Sequence, residues 1–413
     1  MNTVIVIGGG ASGLVAAAAA AEAGAKAVLL EKNSACGKKL NITGKGRGNI
    51  TNTADADAFV EAFGKNGRFL YSAFSVYFRD ELLRDLKALG VDTVTERGGR
   101  IFPAAQKASV VTGALVRRCS AAGVRIRTGT KALSIDVSDG RVRGVGVFGG
   151  VMRCDAAVVA TGGLSYPATG STGDGYGFAR AAGHTVTALR PSLCGIVCRE
   201  KWPASVSGLT LKNVTCSLLD AGGKAIASET GELLFTHKGV SGPVILTLSG
   251  RVADSSGPLR LSIDLKPWLT RQELEEEFRR EFTGKGRLRS WLDKHLPRSL
   301  AGLMPDLSGV SDRPLSSVTS ADRRALADAV KGLTLTVASL CPMEEAIITR
   351  GGVVLGEINP GTMESKRVGG LYFCGEVLDI DARTGGYNLQ AAFSTGYVAG
   401  VSAARLRQEG PAE

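Results

Sequence analysis

Three glycines in residues 8–13 are spaced as G-x-G-x-x-G, and Glu31 follows them about twenty residues later. Glycines at this spacing allow a sharp turn and let a pyrophosphate approach the backbone. A carboxylate at Glu31 can accept hydrogen bonds from both hydroxyls of an adenosine ribose, and it disfavours a ribose that carries a 2′-phosphate. These residue types predict a dinucleotide site that disfavours NADP. Its candidate residues are Gly8, Gly10, Ala11, Ser12, Gly13, Glu31 and Lys32.

The flanking segments have the composition needed to position these groups. Residues 3–7 (T-V-I-V-I) predict a strand buried on both faces of a parallel sheet, and residues 27–30 predict a second strand. Residues 14–23, nearly all Ala, predict a helix whose N-terminus offers unpaired N–H groups to the phosphates. A glycine-rich turn without function is the alternative, but strand, helix and acid all occur at the expected positions.

A second glycine-rich segment, residues 41–52 (N-I-T-G-K-G-R-G-N-I-T-N), follows the acid and predicts a loop. Its basic residues have an electrostatic reason to lie beside a pyrophosphate, whereas the alternative is a mobile surface loop. We favour the first interpretation. The candidate residues are Lys39, Gly46, Arg47 and Asn49.

Two further glycine turns follow predicted buried strands. Residues 155–161 lead into Gly162, and residues 371–374 lead into Gly375 and Glu376. A glycine pair at residues 385–386 then opens a helix predicted to run to about residue 405. The candidate residues in these segments, together with one in a hairpin predicted over residues 132–147, are Val137, Ala160, Thr161, Gly162, Gly375, Glu376, Gly386, Tyr387, Asn388 and Leu389.

The three glycine turns together resemble two-dinucleotide-binding-domain flavoproteins of the glutathione reductase type, which bind FAD. Longer strings resemble the BaiN-like NAD(P)/FAD-dependent oxidoreductases, also called the aminoacetone oxidase family, over nearly the whole chain. These strings are G-K-G-R-G-N at 44–49, G-G-L-S-Y-P at 162–167, F-T-H-K-G-V-S-G-P at 235–243 and G-G-Y-N-L-Q at 385–390.

This resemblance implies FAD as the cofactor, with NADH or NADPH as a possible transient electron donor. It places Glu376 at the ribityl or pyrophosphate region, and it directs the backbone amides of Tyr387, Asn388 and Leu389 at the pyrimidine edge of the flavin. A helix N-terminus there would stabilise negative charge near N1 by about 0.3–2 kcal/mol. Many relatives carry Cys where this chain has Gly48.

The expected fold is α/β: a glutathione-reductase-type FAD-binding Rossmann domain with an inserted β-rich domain and a small helical subdomain. We assign residues 1–189 and 342–413 to the FAD-binding domain, 190–266 and 314–341 to the β-rich domain, and 267–313 to the helical subdomain. The insert contains no second G-x-G-x-x-G, so it is not expected to be a nicotinamide-binding Rossmann domain.

The composition, 44% apolar and 22% charged over 413 residues, is that of a globular protein, and we expect a cytoplasmic location without a membrane partner. The eight cysteines form no C-x-x-C pair and no zinc-ligand set, so no metal site is predicted. Cys36 is the thiol of most interest, because the neighbouring Lys38 and Lys39 could lower its pKa.

The leading function is an FAD-dependent oxidoreductase that passes a hydride through flavin N5, between reduced nicotinamide or a small organic substrate and an acceptor. Whether it uses NAD(P)H or oxidises an amine is open, as is its oligomeric state. The alternative is a flavin-containing RNA-binding or RNA-modifying protein, supported only by the net charge of +11. Because the charges are interspersed, a small-molecule substrate is favoured over nucleic acid.

His237 is the candidate catalytic residue, on the substrate side. It follows the apolar residues 233–235 and enters a turn rich in glycine, where a group that ionises near neutrality could meet the flavin. A hydrogen-bonded turn histidine is the alternative. His184 follows a helix stop, where a cation would suit the helix dipole, and His295 is expected at the surface.

Overall fold

The computed structural model describes residues 1–284 and 286–406, and the chain divides into two compact units. The first unit contains Met1–Pro191 together with the chain from Ala346 onward, and the second contains Ser192–Glu345. The first unit is therefore built from both ends of the chain. The predicted boundaries near residues 190 and 342, and the helical subdomain between 267 and 313, stay predictions. No helix among the described residues combines the length and apolar character that a membrane span requires.

The helices and strands follow in chain order. Up to the first unit boundary they are β1 (Thr3–Ile7), α1 (Ala11–Glu22), β2 (Lys26–Leu30), α2 (Lys38–Ile42), β3 (Thr51–Asn52), α3 (Ala56–Ala62), α4 (Tyr71–Val76), α5 (Arg79–Ala88), β4 (Thr93–Thr95), β5 (Arg100–Pro103), α6 (Ala108–Ala121), β6 (Arg125–Arg127), β7 (Ala132–Ser138), β8 (Arg141–Val147), β9 (Gly150–Arg153), β10 (Ala156–Val159), α7 (Asp174–Ala181) and β11 (Arg190–Ser192). The second unit continues with β12 (Ile196–Cys198), β13 (Thr210–Leu219), β14 (Ala225–Thr236), β15 (Gly239–Ser241), α8 (Pro243–Asp254), β16 (Arg260–Asp264), α9 (Arg271–Glu281), α10 (Leu288–His295), α11 (Arg298–Ser308), α12 (Ser320–Lys331) and β17 (Leu333–Leu340). The last elements, again in the first unit, are β18 (Ile348–Arg350), β19 (Leu371–Phe373) and α13 (Tyr387–Ala404).

The first unit contains a parallel sheet of five strands in the order β19-β10-β1-β2-β6. Successive residues of β1 from Val4 to Ile7 are all buried. Because neighbouring residues of a strand point to opposite faces, this burial means that both faces of the sheet are covered. The predicted Rossmann-type fold is confirmed.

Helices α1 and α13 of this unit approach each other closely at glycines. A Cβ added to Gly396 would lie 2.4 Å from the carbonyl oxygen of Ser12, and one added to Gly400 would lie 2.2 Å from that of Ala16. Since real Cβ atoms do not approach oxygen so closely, only glycine permits this helix pair. The contact fixes α13 beside the first strand-to-helix turn.

The second unit is a closed barrel with the strand order β12-β15-β14-β13-β16-β17, and every pairing in it is antiparallel. The described part of the insert therefore has no parallel βαβ unit, and the predicted β-rich insert with added helices is confirmed. One local prediction was wrong. Helix α8 was missed, because residues 239–243 read as a tight turn, although Pro243 begins a helix there. Helix α12 is capped by Thr319, through a capping box with Asp322.

His184 is buried. The expectation from sequence, a cation at the end of a helix, was therefore wrong. Its Nδ1 lies 2.9 Å from Glu357 and its Nε2 lies 2.7 Å from Ser365. Burial lowers the pKa of His184 from its usual value. Glu357 also accepts hydrogen bonds from Arg367 at 2.7 Å and from the Thr185 amide at 2.9 Å. These contacts lower the pKa of Glu357 to about 2, with Arg367 the main cause.

Glu357 is predicted to stabilise the fold in a pH-dependent way. Its pKa is lower in the folded chain than in the unfolded one, so its contribution is present above about pH 4.5 and is lost as the pH falls toward about 2. Glu357→Gln should lower the free energy of unfolding by about 2 kcal/mol at neutral pH. Urea unfolding of both proteins over a pH series should show this difference shrinking below about pH 4.5. A difference that does not change with pH would contradict the assignment.

Candidate cofactor-binding site

The turn between β1 and α1 has the geometry of a phosphate-binding loop. Gly8 has φ +108°, in the left-handed region that favours glycine. A Cβ on Gly13 would lie 1.8 Å from the Gly8 carbonyl oxygen, so this glycine is required where the helix packs against the strand. A Cβ on Gly10 would have no heavy atom within 4 Å, so the space in front of the helix start is open. No side chain caps α1 at Gly10, which leaves its first amides available to a ligand.

Glu31 lies beside this turn and is only 7% exposed. Its carboxylate accepts hydrogen bonds from the Gly9 amide at 2.8 Å, and from the backbone amide and side chain of Asn33 at 2.7 and 2.8 Å. A carboxylate has about four lone-pair positions, so these contacts orient Glu31 and leave it capacity for a ribose hydroxyl. Lys32, also a candidate, is held by Asp174 at 2.7 Å and by Thr172.

The end of β10 lies against the same turn. A Cβ on Gly8 would approach the Ala160 carbonyl oxygen to 2.5 Å, and Gly162 has φ +72°. The Thr161 hydroxyl is buried and has no hydrogen-bond partner among the described residues. A buried hydroxyl without a partner is costly, so Thr161 is suited to a ligand that would satisfy it.

Glu376 is the centre of a polar cluster in the first unit. Lys39 donates to it at 2.7 Å, the Ser165 hydroxyl at 3.1 Å and the Thr349 amide at 2.9 Å. Lys39 also donates to Ser165 at 2.7 Å. Two predicted residues, Lys39 and Glu376, therefore meet although they lie 337 positions apart. Ser165 was within a quoted family string and Thr349 gave no sequence signal, and neither was selected.

The start of α13 forms another glycine-lined surface. Gly386 has φ +100°, and a Cβ there would lie 2.3 Å from the Thr51 carbonyl oxygen. With its amide oriented to satisfy both contacts, Asn49 accepts from the Gly386 amide at 3.1 Å and donates to the Thr51 carbonyl at 3.3 Å. The side chain of Asn388 bonds to the Ala382 backbone in both directions at 2.9 Å. The N–H groups of the first helical turn, from Tyr387 to Leu389, have no partner within the helix.

Residues 41–52, the loop with the basic residues, are anchored by contacts of Arg47 to neighbouring side chains. Arg47 donates to Glu96 at 2.8 Å and to Gln106 at 3.0 Å, and its guanidinium lies 4.2 Å from the centre of the Phe102 ring. Gly46 has φ +85°. Gly48 has φ +81°, and a Cβ there would lie 3.0 Å from Cα of Ala108. A side chain at this position would need a different local backbone.

Three other predictions concern residues outside these contacts. Cys36 was expected to have a lowered pKa, but burial, with a further contribution from Glu31, raises the pKa of its thiol to about 11. Val137 lies on β7 opposite Val142, with its side chain exposed. His237 is exposed in the turn between β14 and β15. The roles of Val137 and His237 stay predictions.

The absence of a metal site stays a prediction. Glu277, Glu281 and His295 have ligand atoms within 4.8 Å of one another. Their carboxylates are already bound, however, by Lys266 at 3.2 Å and by the Trp291 indole at 2.6 Å.

The residues of the first unit fit FAD. The open face at Gly10 suits a pyrophosphate, and the buried carboxylate of Glu31 suits a ribose. The unpaired hydroxyl of Thr161 can bind a polar group of the ligand, and the free first turn of α13 suits the flavin. Residues 2–402 match the family described as HI0933-like protein Rossmann domain. The chain belongs to this family.

Three proteins similar to this chain along nearly their whole length are named for two different activities. The 3-dehydro-bile acid delta(4,6)-reductase of Clostridium scindens is 32% identical over 392 residues, 93% of this chain and 94% of the relative. The ribosomal RNA dihydrouridine synthases of Haemophilus influenzae and Escherichia coli are 31% and 29% identical, over 97% and 95% of this chain and 98% and 96% of the relatives. The predicted family is thereby supported, whereas the name aminoacetone oxidase is not confirmed.

Solved structures agree on the fold. The 3-ketosteroid delta1-dehydrogenase of Sterolibacterium denitrificans has a TM-score of 0.54 at 14% identity, covering 98% of this chain and all of that one. An open flavocytochrome c3 fumarate reductase has a TM-score of 0.53 at 18% identity, covering 98% and 78%. The chain thus has a Rossmann-type FAD-binding fold.

Glu31→Ala should weaken FAD binding, because each charge-assisted hydrogen bond to a ribose hydroxyl contributes about 1.5–3 kcal/mol. Titration of the apoprotein with FAD, followed by quenching of flavin fluorescence, measures the change. Since Glu31 also holds the Gly9 amide, the melting temperature of the apoprotein separates lost binding from lost folding. Glu61→Ala, at an exposed acid, is the control. Unchanged FAD affinity in Glu31→Ala would contradict the site.

Proposed function

We propose that this protein uses FAD to reduce a carbon–carbon double bond conjugated to a carbonyl group, and that its substrate is a uracil base of ribosomal RNA. The named activities of the relatives share this chemistry, because a dihydrouridine is a uridine with two hydrogens added across C5=C6. The observation that carries the choice of RNA is the full-length similarity to two ribosomal RNA dihydrouridine synthases. The net charge of +11 supports it, since RNA is a polyanion.

FAD supplies hydride transfer at N5 when it is bound. The chain would hold its pyrophosphate at the first turn of α1 and its ribose at Glu31. The amides of residues 387–389 at the start of α13 would favour negative charge at the pyrimidine edge of the flavin. Lys39 contacts Glu376 at 2.7 Å, and this ion pair fixes the orientation of the carboxylate. Reduced nicotinamide, rather than an amine, is the proposed electron donor because the relatives' activities consume reducing equivalents.

The second candidate is a reductase of a small conjugated ketone, as in the bile-acid relative at 32% identity. In that case the net charge would have no part in substrate binding. If the first candidate is right, the protein acts in the cytoplasm, where ribosomal RNA is found.

The two candidates are separated by one experiment. Purified protein should be yellow and release FAD on denaturation, and NADH or NADPH should bleach it under anaerobic conditions. Incubated with unmodified ribosomal RNA transcribed in vitro, it should form dihydrouridine, detected by nucleoside mass spectrometry. Reduction of a 3-keto-4,6-diene steroid with no dihydrouridine in the RNA would favour the second candidate and overturn the first.

His237 is proposed as a substrate-side group that supplies or accepts a proton. Its side chain is exposed in the turn between β14 and β15, and histidine is the side chain that most often serves as a general acid or base. His237→Ala should keep the flavin absorbance spectrum and slow turnover about a hundredfold or more, in the range of general acid–base effects. The control is Glu232→Ala, at an exposed position of β14 five residues before His237. Equal turnover of His237→Ala and wild type would remove the role.

A further inference from the structure

We infer that the RNA backbone docks on a basic surface of helices α9, α10 and α11 in the second unit, an inference that rests on the proposed function. We call this surface the helical basic face and define it by Arg279, Arg280, Lys294 and Arg298, with the exposed Trp268 beside it. The cations would contact phosphates, and the indole would stack on a base.

The cations that define this face are not held in ion pairs. Residues 275–298 contain seven Lys or Arg and five acids. Four of these acids have partners outside the face: Glu275 pairs with Arg271 at 3.1 Å, Glu277 with Lys266 at 3.2 Å and Asp293 with Arg289 at 3.0 Å, while Glu281 accepts from the Trp291 indole at 2.6 Å. The four cations that define the face are exposed and form no ion pair with any residue of the described ranges.

The helices that carry these cations are packed together. Phe278 and Phe282 near the end of α9 both have ring centres 5.2 Å from that of Trp291 in α10. Arg279 and Arg280 lie between those two phenylalanines in sequence, and Lys294 is in the last turn of α10. Arg289 donates to the Arg298 carbonyl at 3.2 Å, which joins α10 to the first residue of α11. The cations therefore belong to one packed group of helices.

The first half of α9 behaves differently. The sequence predicts a solvated helix with i,i+4 ion pairs, and Arg271 does pair with Glu275 at 3.1 Å. The pairing does not extend to Arg279 and Arg280. Arg271 at the start of the helix is therefore paired, whereas Arg279 and Arg280 near its end are not.

An aromatic side chain is exposed beside this face. Trp268 is 63% exposed. Two residues before it, Lys266 lies 5.7 Å from the centre of the Trp291 ring and 3.2 Å from Glu277 of α9, which places the segment against the same helices. Bases stack on exposed aromatic rings without regard to sequence, and flanking cations track the phosphates.

The composition of the face favours RNA over a membrane surface. Among the described residues from 260 to 340, Trp268 is the single large apolar side chain in the exposed class. A helix that binds a bilayer inserts a continuous apolar face. Helices α9, α10 and α11 instead bury their apolar residues in their own core.

The test measures binding of fluorescently labelled poly(U) and of unmodified ribosomal RNA by anisotropy over a KCl series. Arg279→Glu/Arg280→Glu should weaken binding about tenfold or more and reduce the slope of log affinity against log salt by roughly 1.4, about 0.7 for each lost phosphate contact. Trp268→Ala should weaken binding about tenfold through lost stacking. Binding of wild type should quench tryptophan fluorescence, and this signal should vanish in Trp268→Ala.

Matched controls come from the first unit. Arg84→Glu/Lys87→Glu, at exposed positions of α5, makes the same change in net charge, and Phe148→Ala removes a side chain that is 98% exposed. Both should keep wild-type affinity and salt slope. The FAD content and melting temperature of every variant report whether it is folded.

The outcomes separate the docking surface from the proposed reaction. If wild type forms dihydrouridine while Arg279→Glu/Arg280→Glu keeps full RNA affinity, the surface is wrong and the reaction stands. If wild type binds poly(U) through this face but forms no dihydrouridine, the reaction is wrong. The surface is also wrong if the control variants weaken RNA binding equally, or if wild type binds no RNA. Phosphatidylglycerol vesicles serve as a second ligand: the surface is wrong if Arg279→Glu/Arg280→Glu loses binding to these vesicles while it keeps binding to RNA.

Discussion

The cofactor-binding unit depends on three backbone contacts that exclude any side chain larger than hydrogen. Gly13 lies against the Gly8 carbonyl, Gly396 against that of Ser12 and Gly400 against that of Ala16; added Cβ atoms would approach these oxygens to 1.8, 2.4 and 2.2 Å. Helix α1 is thereby held to β1 on one side and to α13 on the other. These contacts stabilise the unit through close packing of backbone against backbone, and a larger side chain at any of the three glycines would separate the two elements.

This packing determines where the two helix N-termini lie. The start of α1 is next to Ser12, and the start of α13 is nine residues before Gly396, about 14 Å along the helix at 1.5 Å per residue. Two partially positive helix ends are therefore available at separate points, as an extended dinucleotide with a pyrophosphate and a distal ring requires. Glu31 lies beside the start of α1, where it accepts from the Gly9 amide, and Asn49 lies beside the start of α13, where it accepts from the Gly386 amide.

The sequence predicted those parts of the site that a local pattern determines. The run from Thr3 to Ile7, the glycine turn and the apolar start of α1 are consecutive, so propensity and spacing were sufficient. Contacts between distant positions were not accessible in the same way. Nothing in the sequence joins Thr349 to Glu376, or Lys32 to the Asp174 that neutralises it. The thiol of Cys36 was misjudged because its burial outweighs the cations that neighbour it in sequence.

The central claim is that electrons held by FAD in this protein reach a uracil base of RNA. It is tested most directly by a single turnover under anaerobic conditions. The FAD-loaded protein is first bleached with one equivalent of NADPH or NADH and then mixed with unmodified ribosomal RNA. The account predicts that the visible flavin absorbance returns and that one dihydrouridine forms for each flavin reoxidised. Flavin that stays bleached with RNA but recovers on addition of a conjugated steroid ketone would contradict it.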